Sequence, residues 1–290
     1  MCANSLIRRL SRGLIALAAL TLVAAPVAVG AETSGDGPKP EVKHFTSGCR
    51  EITVEYCAPT GGGKHPALVA LHAVDGIEGP LAEMYRVEAR GFAGRGYVVL
   101  LVHYFDRTGA TEKHVESYRE LFVKYFQRKE RAAEEAGRIK DLTGQWTKVV
   151  RDAVAFARTL DAVDGERVGL VGFSLGATLA LAAAIDYDLK LAALVDLFGT
   201  LAQEKRAGLR KLPPTLIIHG ERDEVIPADE VYVLIGRLAE GEMKYAAKVY
   251  ADAGHMFSLG GKDVQLKSLL DARQRISDFL DTHLQPRAGK

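Results

Sequence analysis

The feature that most constrains this chain is a pentapeptide, GFSLG (172–176), set between a strand-like run and a helix-like run. The residues before it, RVGLVGF (167–173), are apolar and β-branched, and those after it are small and helix-forming. This spacing fits the G-x-S-x-G turn, in which a serine stands on a sharp strand-to-helix junction. The glycines leave space where a Cβ would clash, and the helix N-terminus directs N–H groups at a developing oxyanion. The pattern therefore predicts a nucleophilic Ser174, and a tight βα turn in a nucleotide-binding sheet is the alternative interpretation.

Two later loops supply the acid and the base that a serine nucleophile needs. A serine hydroxyl becomes reactive when a base accepts its proton and a carboxylate orients that base. Asp223 lies just past the predicted strand 214–219, and His255 lies in the loop after the last predicted strand, 244–250. The order Ser174, Asp223, His255 is the serine–acid–histidine order of the α/β-hydrolases, so we predict that these three are catalytic. Asp223 is favoured by its position in the loop over the other nearby acids, which are Glu221, Glu224 and Asp252.

Two backbone amides are predicted to bind the oxyanion. One is the N–H of Leu175, and the other is the N–H of Val74, in the loop after the predicted strand 66–72. Histidines at strand ends are expected to be structural, namely His72, His103 and His219. No closely spaced histidines or cysteines indicate a metal site, so we expect neither a metal nor a cofactor.

The apolar runs predict one α/β domain over residues 41–285. Strands are predicted at 41–45, 51–58, 66–72, 97–103, 167–173, 191–198, 214–219 and 244–250. One helix is predicted to end near residue 93, and another is predicted to precede the strand at 167–173. Three more helices are predicted at 175–185, 228–238 and 262–284. This alternation predicts an α/β-hydrolase fold, a mostly parallel central sheet with helices on both faces. Residues 104–140 form a helical excursion after the strand 97–103, either a lid or pocket wall or an amphipathic helix docked on the surface.

The N-terminus has the features of an export signal. Arginines precede an apolar stretch, 13–25, and the small residues ending at Ala31 fit a cleavage site. We therefore expect a signal peptide at 1–31, a flexible leader at 32–40 and a short tail at 286–290. The mature protein is then periplasmic or extracellular, without stable membrane insertion. The alternative is an uncleaved anchor, although a membrane span needs about 20 apolar residues.

Composition excludes functions that depend on net charge. The 290 residues carry a formal net charge of +1 and no basic block, so we expect no nucleic-acid partner. A localised site for a small molecule is expected instead. If residues 49–57 form one extended strand, Cys49 and Cys57 at its ends are about 25 Å apart, which is too far for a disulfide bond.

The GFSLG turn (172–176) and three further segments resemble the dienelactone hydrolase family. Those segments are HGERDEVIP (219–227), AGHMF (253–257) and VHYFDR (102–107), and the resemblance covers roughly residues 41–284. It implies an α/β-hydrolase fold and a hydrolase that cleaves an ester or lactone.

The chain departs from the pattern of the namesake enzymes of that family at three positions. Those enzymes have cysteine where this chain has Ser174 and glutamate where it has Ala73. They also hold a substrate carboxylate with two arginines, of which only Arg107 has a counterpart here. The resemblance implies that Arg107, with its neighbour Tyr104, contacts the substrate, while the departures point away from dienelactone itself.

Together these features predict an exported serine hydrolase that cleaves a carboxylic ester or lactone through an acyl-enzyme on Ser174. A peptidase or a polysaccharide deacylase with the same three residues is the enzymatic alternative. A non-catalytic binding protein of the same fold is the alternative of another class.

Overall fold

The computed structural model describes residues 38–110, 112–127, 133–206, 209, 211–258 and 262–285. The predicted signal peptide, most of the predicted leader and the predicted tail lie outside these residues. No helix among the described residues is long and apolar enough to cross a membrane.

An eight-stranded sheet runs through the middle of the described chain. Its strands are β1 (Glu41–Ser47), β2 (Arg50–Cys57), β3 (His65–Leu71), β4 (Val98–Val102), β5 (Val163–Phe173), β6 (Ala193–Leu197), β7 (Thr215–Gly220) and β8 (Tyr245–Tyr250). The strand order is β1-β2-β4-β3-β5-β6-β7-β8. β2 pairs antiparallel with both β1 and β4, and all pairs from β4 to β8 are parallel. The carboxyl ends of the parallel strands therefore meet at one edge, where binding sites of open α/β sheets lie.

Helices cover both faces of this sheet. They are α1 (Ala82–Gly94), α2 (Glu112–Gln127), α3 (Ala133–Thr159), α4 (Leu175–Tyr187), α5 (Gln203–Arg206), α6 (Ala228–Glu240) and α7 (Lys262–Leu284). One buried cluster joins α2, α3, α4 and α6 to the sheet, and a second cluster joins α1 and α7 to the opposite face. The predicted fold class, a mostly parallel sheet with helices on both faces, is confirmed.

The excursion after β4 is a docked element in this structure. It begins with a 3₁₀ turn, Tyr104–Thr108, and continues through α2 into α3. The Trp146 ring on α3 is fully buried and lies 5.3 Å from the Tyr118 ring on α2 and 4.9 Å from that of Phe105. The Trp146 indole N–H also donates to the Thr108 hydroxyl at 3.2 Å. This arrangement matches the docked amphipathic helix, because the apolar face of α2 is occupied by its own neighbours.

Short elements account for most of the differences from the predicted pattern. The 3₁₀ turns Tyr104–Thr108 and His255–Phe257 and the four-residue helix α5 are too short to produce a hydrophobic period. β2 does extend through the segment between the two cysteines, and both Cys49 and Cys57 are free thiols. Burial raises the pKa of the Cys57 thiol to about 11, so the side chain is a neutral core residue at neutral pH.

Candidate active site

Ser174 stands on a strained turn between β5 and α4. Its φ is 52° and its ψ is −110°, a conformation that costs a non-glycine residue about 1–3 kcal/mol. A Cβ on Gly172 would lie 2.4 Å from the Ala177 Cα, and a Cβ on Gly176 would lie 2.3 Å from the Leu71 carbonyl oxygen. Only glycine fits at either position, which is the steric reason expected from the sequence pattern.

Ser174, His255 and Asp223 form one continuous chain of hydrogen bonds. The Ser174 Oγ lies 2.8 Å from the His255 Nε2, and the His255 Nδ1 lies 2.7 Å from the Asp223 Oδ2. Asp223 in its carboxylate form accepts the Nδ1–H, which leaves Nε2 as the acceptor for the serine hydroxyl. The serine is 6% exposed and the aspartate 8% exposed, so the network is shielded from bulk water. The structure thus brings together the three residues predicted from chain order in one hydrogen-bonded chain.

The Asp223 carboxylate is fixed by its own loop. Its Oδ1 accepts the N–H groups of Val225 at 2.8 Å and Ile226 at 2.7 Å. Its Oδ2 is also 3.4 Å from the Nε2 of His219, which donates to the Ile226 carbonyl at 3.0 Å. The two backbone N–H groups hold the carboxylate in place and set its orientation toward His255.

The three competing acids form other hydrogen bonds or ion pairs. Glu221 is hydrogen-bonded to the Tyr232 hydroxyl, and Asp252 lies 3.2 Å from Arg222 in an exposed ion pair. Glu224 makes two hydrogen bonds to the loop that carries His255, one to a backbone N–H and one to a hydroxyl. Its Oε2 accepts the His255 backbone N–H at 3.0 Å, and its Oε1 accepts the Ser258 hydroxyl at 2.8 Å.

The loop that carries His255 contains two strained residues. Met256 has a φ of 50° and Phe257 a φ of 62°, both in the left-handed region. The Phe257 ring packs edge-on against Phe198 at 4.8 Å, and Phe198 itself lies 5.7 Å from the His255 ring. Sequence reasoning missed the supporting roles of Glu224 and Phe198, because neither carries a local motif.

The two predicted oxyanion donors lie in segments that touch. Leu175 is the first residue of α4, where N–H groups have no partner within the helix. The close approach of Gly176 to the carbonyls of Leu71 and His72 holds the end of β3 against this helix N-terminus. Val74 follows two residues later and is half-buried. The amides of Leu175 and Val74 therefore belong to adjoining backbone at the serine's edge of the sheet.

The two residues expected to contact substrate have other partners. Tyr104 is fully buried, its ring is stacked 4.0 Å from that of His72, and its hydroxyl donates to the His72 carbonyl at 2.9 Å. The Arg107 guanidinium points to the β1–β2 turn, where it donates to the Ser47 carbonyl and packs against Gly48. In this structure Tyr104 supports the end of β3 and Arg107 holds the β-hairpin turn, and a contact of either residue with substrate stays a prediction.

The strand-end histidines have the structural environments that were expected. Burial lowers the pKa of His72 to about 3, and burial also lowers the pKa of His219, so both rings are neutral at neutral pH. The His103 Nε2 lies 3.2 Å from Glu55, which also binds Arg86. Burial alone would raise the pKa of Glu55, but its bonds to His103 and Arg86 outweigh it and lower that pKa to about 2. Within the described parts of the chain, no group of three or more His, Cys, Asp or Glu residues is arranged to hold a metal ion.

Comparison with known proteins identifies the family. The model of the dienelactone hydrolase family matches residues 53–284. A Yersinia pestis protein with the name "Putative carboxymethylenebutenolidase" is 24% identical over 232 residues, which are 76% of this chain and 79% of that protein.

Two solved structures show the same fold. The dienelactone hydrolase from Anabaena variabilis superposes with a TM-score of 0.60 at 18% identity, over 86% of this chain and 99% of that one. The acylaminoacyl peptidase from Pyrococcus horikoshii superposes with a TM-score of 0.63 at 16% identity, over 87% of this chain but only 43% of that one. Since the family model spans most of the sequence, this chain belongs to the dienelactone hydrolase family and is a hydrolase that acts on ester bonds.

Proposed function

We propose that this protein cleaves a carboxylic ester or lactone through an acyl-enzyme on Ser174. The observation that carries the proposal is the unbroken hydrogen-bond chain from Ser174 through His255 to Asp223, with separations of 2.8 and 2.7 Å. A serine in such a chain is prepared for nucleophilic attack, whereas binding alone requires no such arrangement.

Acylation begins when the Ser174 Oγ attacks the substrate carbonyl carbon while its proton moves to the His255 Nε2. Asp223 stabilises the imidazolium that forms, since its carboxylate already accepts the Nδ1–H. The negative charge that develops on the carbonyl oxygen is stabilised by the N–H groups of Leu175 and Val74. The tetrahedral intermediate then breaks its C–O bond to the alcohol, which takes the proton from Nε2 and leaves the acyl group on Ser174.

Deacylation repeats these steps with water as the nucleophile. His255 accepts a proton from water, whose oxygen attacks the acyl carbon, and the same amides receive the oxyanion. Collapse returns the proton to the Ser174 Oγ and releases a carboxylic acid. With a lactone, the alcohol and the acid are two ends of one product.

A small ester or lactone is proposed ahead of a peptide or a polysaccharide ester. The likeness to the acylaminoacyl peptidase concerns the fold, and this chain spans 43% of that protein's length. A peptide substrate would also need an amine leaving group to be protonated by the same imidazole, which this geometry permits. Comparison of p-nitrophenyl esters with acyl-peptide anilides separates the two activities.

The test of the nucleophile is hydrolysis of p-nitrophenyl acetate and butyrate by the chain from Glu32 onward. Ser174→Ala is expected to lower kcat by about a thousandfold or more, since losing a nucleophile leaves only binding and oxyanion stabilisation. Ser277→Ala, which changes a buried serine of α7, is the matched control and keeps full activity. A fluorophosphonate, which loses fluoride as it forms a bond to Oγ, is expected to label the wild type and not Ser174→Ala. Equal turnover by the wild type and Ser174→Ala would refute this proposal.

We also propose that the protein is exported after removal of residues 1–31. The support is the arginine-rich start, the apolar stretch 13–25 and the small residues ending at Ala31. The intact mass of the protein recovered from culture medium or periplasm should correspond to a chain that begins at Glu32. A full-length mass in the membrane fraction would instead indicate an uncleaved anchor.

A further inference from the structure

We propose that Tyr85 is a positioning residue that orients the Val74 amide for oxyanion binding. The inference rests on the proposed function, because it assigns a task to a side chain around the same site. Tyr85 lies on α1 and contributes no atom to the serine, histidine or aspartate network.

The Tyr85 hydroxyl holds both neighbours of Val74. It accepts the Ala73 backbone N–H at 3.1 Å and donates to the Asp75 Oδ1 at 2.8 Å. Tyr85 is 2% exposed, so its side chain is shielded from bulk water. One buried hydroxyl thus binds the residue before Val74 and the residue after it.

The segment held in this way is a tight turn. The Gly76 N–H donates to the Ala73 carbonyl at 3.2 Å, so Val74 and Asp75 are its two central residues. The second oxygen of Asp75 accepts the Leu81 N–H at 3.2 Å, which ties the turn to the start of α1. The direction of the Val74 N–H is therefore set by a closed ring of bonds that passes through the Tyr85 hydroxyl.

The same tyrosine also contacts the nucleophile strand. Its ring centroid is 5.2 Å from that of Phe173, the residue directly before Ser174. Burial, together with the Asp75 charge, raises the pKa of Tyr85 well above its ordinary value, so the hydroxyl keeps the proton that it donates. Tyr85 therefore links the turn of Val74 to the strand that ends at the serine, and fixes two parts of the site relative to each other.

The chemical consequence is loss of transition-state stabilisation when the hydroxyl is removed. An oxyanion donor works because it is already oriented, and removing one outright costs about 100- to 1000-fold in kcat. Loosening a donor costs less than removing it, so Tyr85→Phe should lower kcat by about 10- to 100-fold. KM should change little, since the ground-state carbonyl depends weakly on this amide.

The test measures Tyr85→Phe against Tyr97→Phe. Tyr97 is likewise buried, and its hydroxyl donates to Asp281 at 2.7 Å. It directly precedes β4 and therefore lies at the edge of the sheet opposite the site. Each variant therefore removes a tyrosine hydroxyl that donates to an aspartate in a partly buried hydrogen bond. For each we would measure kcat and KM with p-nitrophenyl butyrate, the unfolding midpoint, and Ki for an aryl trifluoromethyl ketone. The Ser174 Oγ adds to the carbonyl carbon of that ketone. The resulting oxyanion occupies the same position as the oxyanion of the tetrahedral intermediate.

The expected result is a parallel loss in Tyr85→Phe alone. Its kcat/KM should fall and its trifluoromethyl-ketone Ki should rise by the same 10- to 100-fold factor, while Tyr97→Phe stays within about twofold of the wild type. If Tyr85→Phe does not fold, Asp75→Ala removes the acceptor of the Tyr85 hydroxyl and leaves the bond from the Ala73 N–H in place. It should show the same parallel change in kcat/KM and Ki, at smaller size.

Two results would overturn the inference. One is a Tyr85→Phe enzyme with wild-type kcat/KM, and the other is a loss of kcat/KM without a matching rise in Ki. Both require an active wild type, so they are distinct from failure of the proposed function, in which the wild type neither turns over esters nor forms the fluorophosphonate adduct.

Discussion

Asp196 provides the sharpest quantitative test of the fold. It lies on β6, beside the strand that leads to Ser174, and is fully buried. Its Oδ1 accepts the Gly199 N–H at 2.8 Å, while its Oδ2 has no partner among the residues that the structure describes. Burial outweighs the Gly199 hydrogen bond and raises the pKa of Asp196 from 3.8 to about 7. The change Asp196→Asn keeps the shape of the side chain and removes its ionisation.

The sign and size of the effect follow from proton linkage. Between pH 3.8 and about 7 the folded protein holds a proton on Asp196 that the unfolded chain has released. Stability from this group is therefore full below pH 3.8 and falls as the pH rises, until it levels off above about 7. A shift of about 3 pKa units at 1.36 kcal/mol each amounts to about 4 kcal/mol, as an order of magnitude.

Urea unfolding of the wild type and Asp196→Asn at several pH values between 4 and 8 measures this directly. The free energy of unfolding of the variant minus that of the wild type should increase by about 4 kcal/mol across the range, because all other groups cancel in the difference. The unpaired amide of the variant adds a constant penalty of about 1–3 kcal/mol that does not depend on pH. Asp161→Asn, at an exposed position, serves as the control for the loss of a surface carboxylate. A flat difference for Asp196→Asn would mean that the pKa of Asp196 is the same in the folded and the unfolded protein, contrary to this reasoning.

Three further predictions concern the site and its supports. Gly176→Ala should destabilise the fold by more than about 2 kcal/mol in urea unfolding, because the new Cβ would lie 2.3 Å from a carbonyl of β3; an unchanged midpoint would contradict the steric argument. Glu224→Ala should lower kcat with p-nitrophenyl butyrate by about 3- to 10-fold, and Glu224→Gln should restore part of it, since an amide oxygen still accepts the His255 N–H; equal rates for both variants would exclude this role. Arg107→Met should lower the unfolding free energy by about 1–2 kcal/mol and leave KM for an uncharged ester unchanged, because the guanidinium binds the Ser47 carbonyl; a large rise in KM would instead support Arg107 as a substrate contact.

The sequence carries the parts of this structure that depend on local pattern. The strand 167–173, the two glycines around Ser174 and the small-residue helix after it each follow from short-range sterics. Asp223 and His255 were predictable because parallel strands bring their carboxyl ends to one edge, whatever the packing of the helices. The main fold and the three residues of the hydrogen-bond chain therefore needed no tertiary information.

The supports of the site could not be read from the sequence, because they join distant segments through side-chain direction. Tyr85 lies in an ordinary amphipathic helix, and nothing in that pattern shows that its hydroxyl lies between two residues of the preceding turn. Arg107 stands at the position that the family resemblance indicates, but its long side chain turns toward Ser47, 60 residues earlier. A motif specifies a residue type, whereas the direction of a flexible side chain depends on which partner the fold brings near.

The burial of Trp146 has a practical consequence for spectroscopy. The chain contains 1 tryptophan, and its indole lies where the 3₁₀ turn after β4, α2 and α3 meet. Intrinsic emission excited at the red edge therefore comes from one fluorophore whose wavelength depends on the contact between α2 and α3. Separation of α2 from α3 during turnover would shift that emission to longer wavelength while the far-ultraviolet circular dichroism stays constant. Trp146 emission therefore reports movement of α2 relative to α3, without a label or a further substitution.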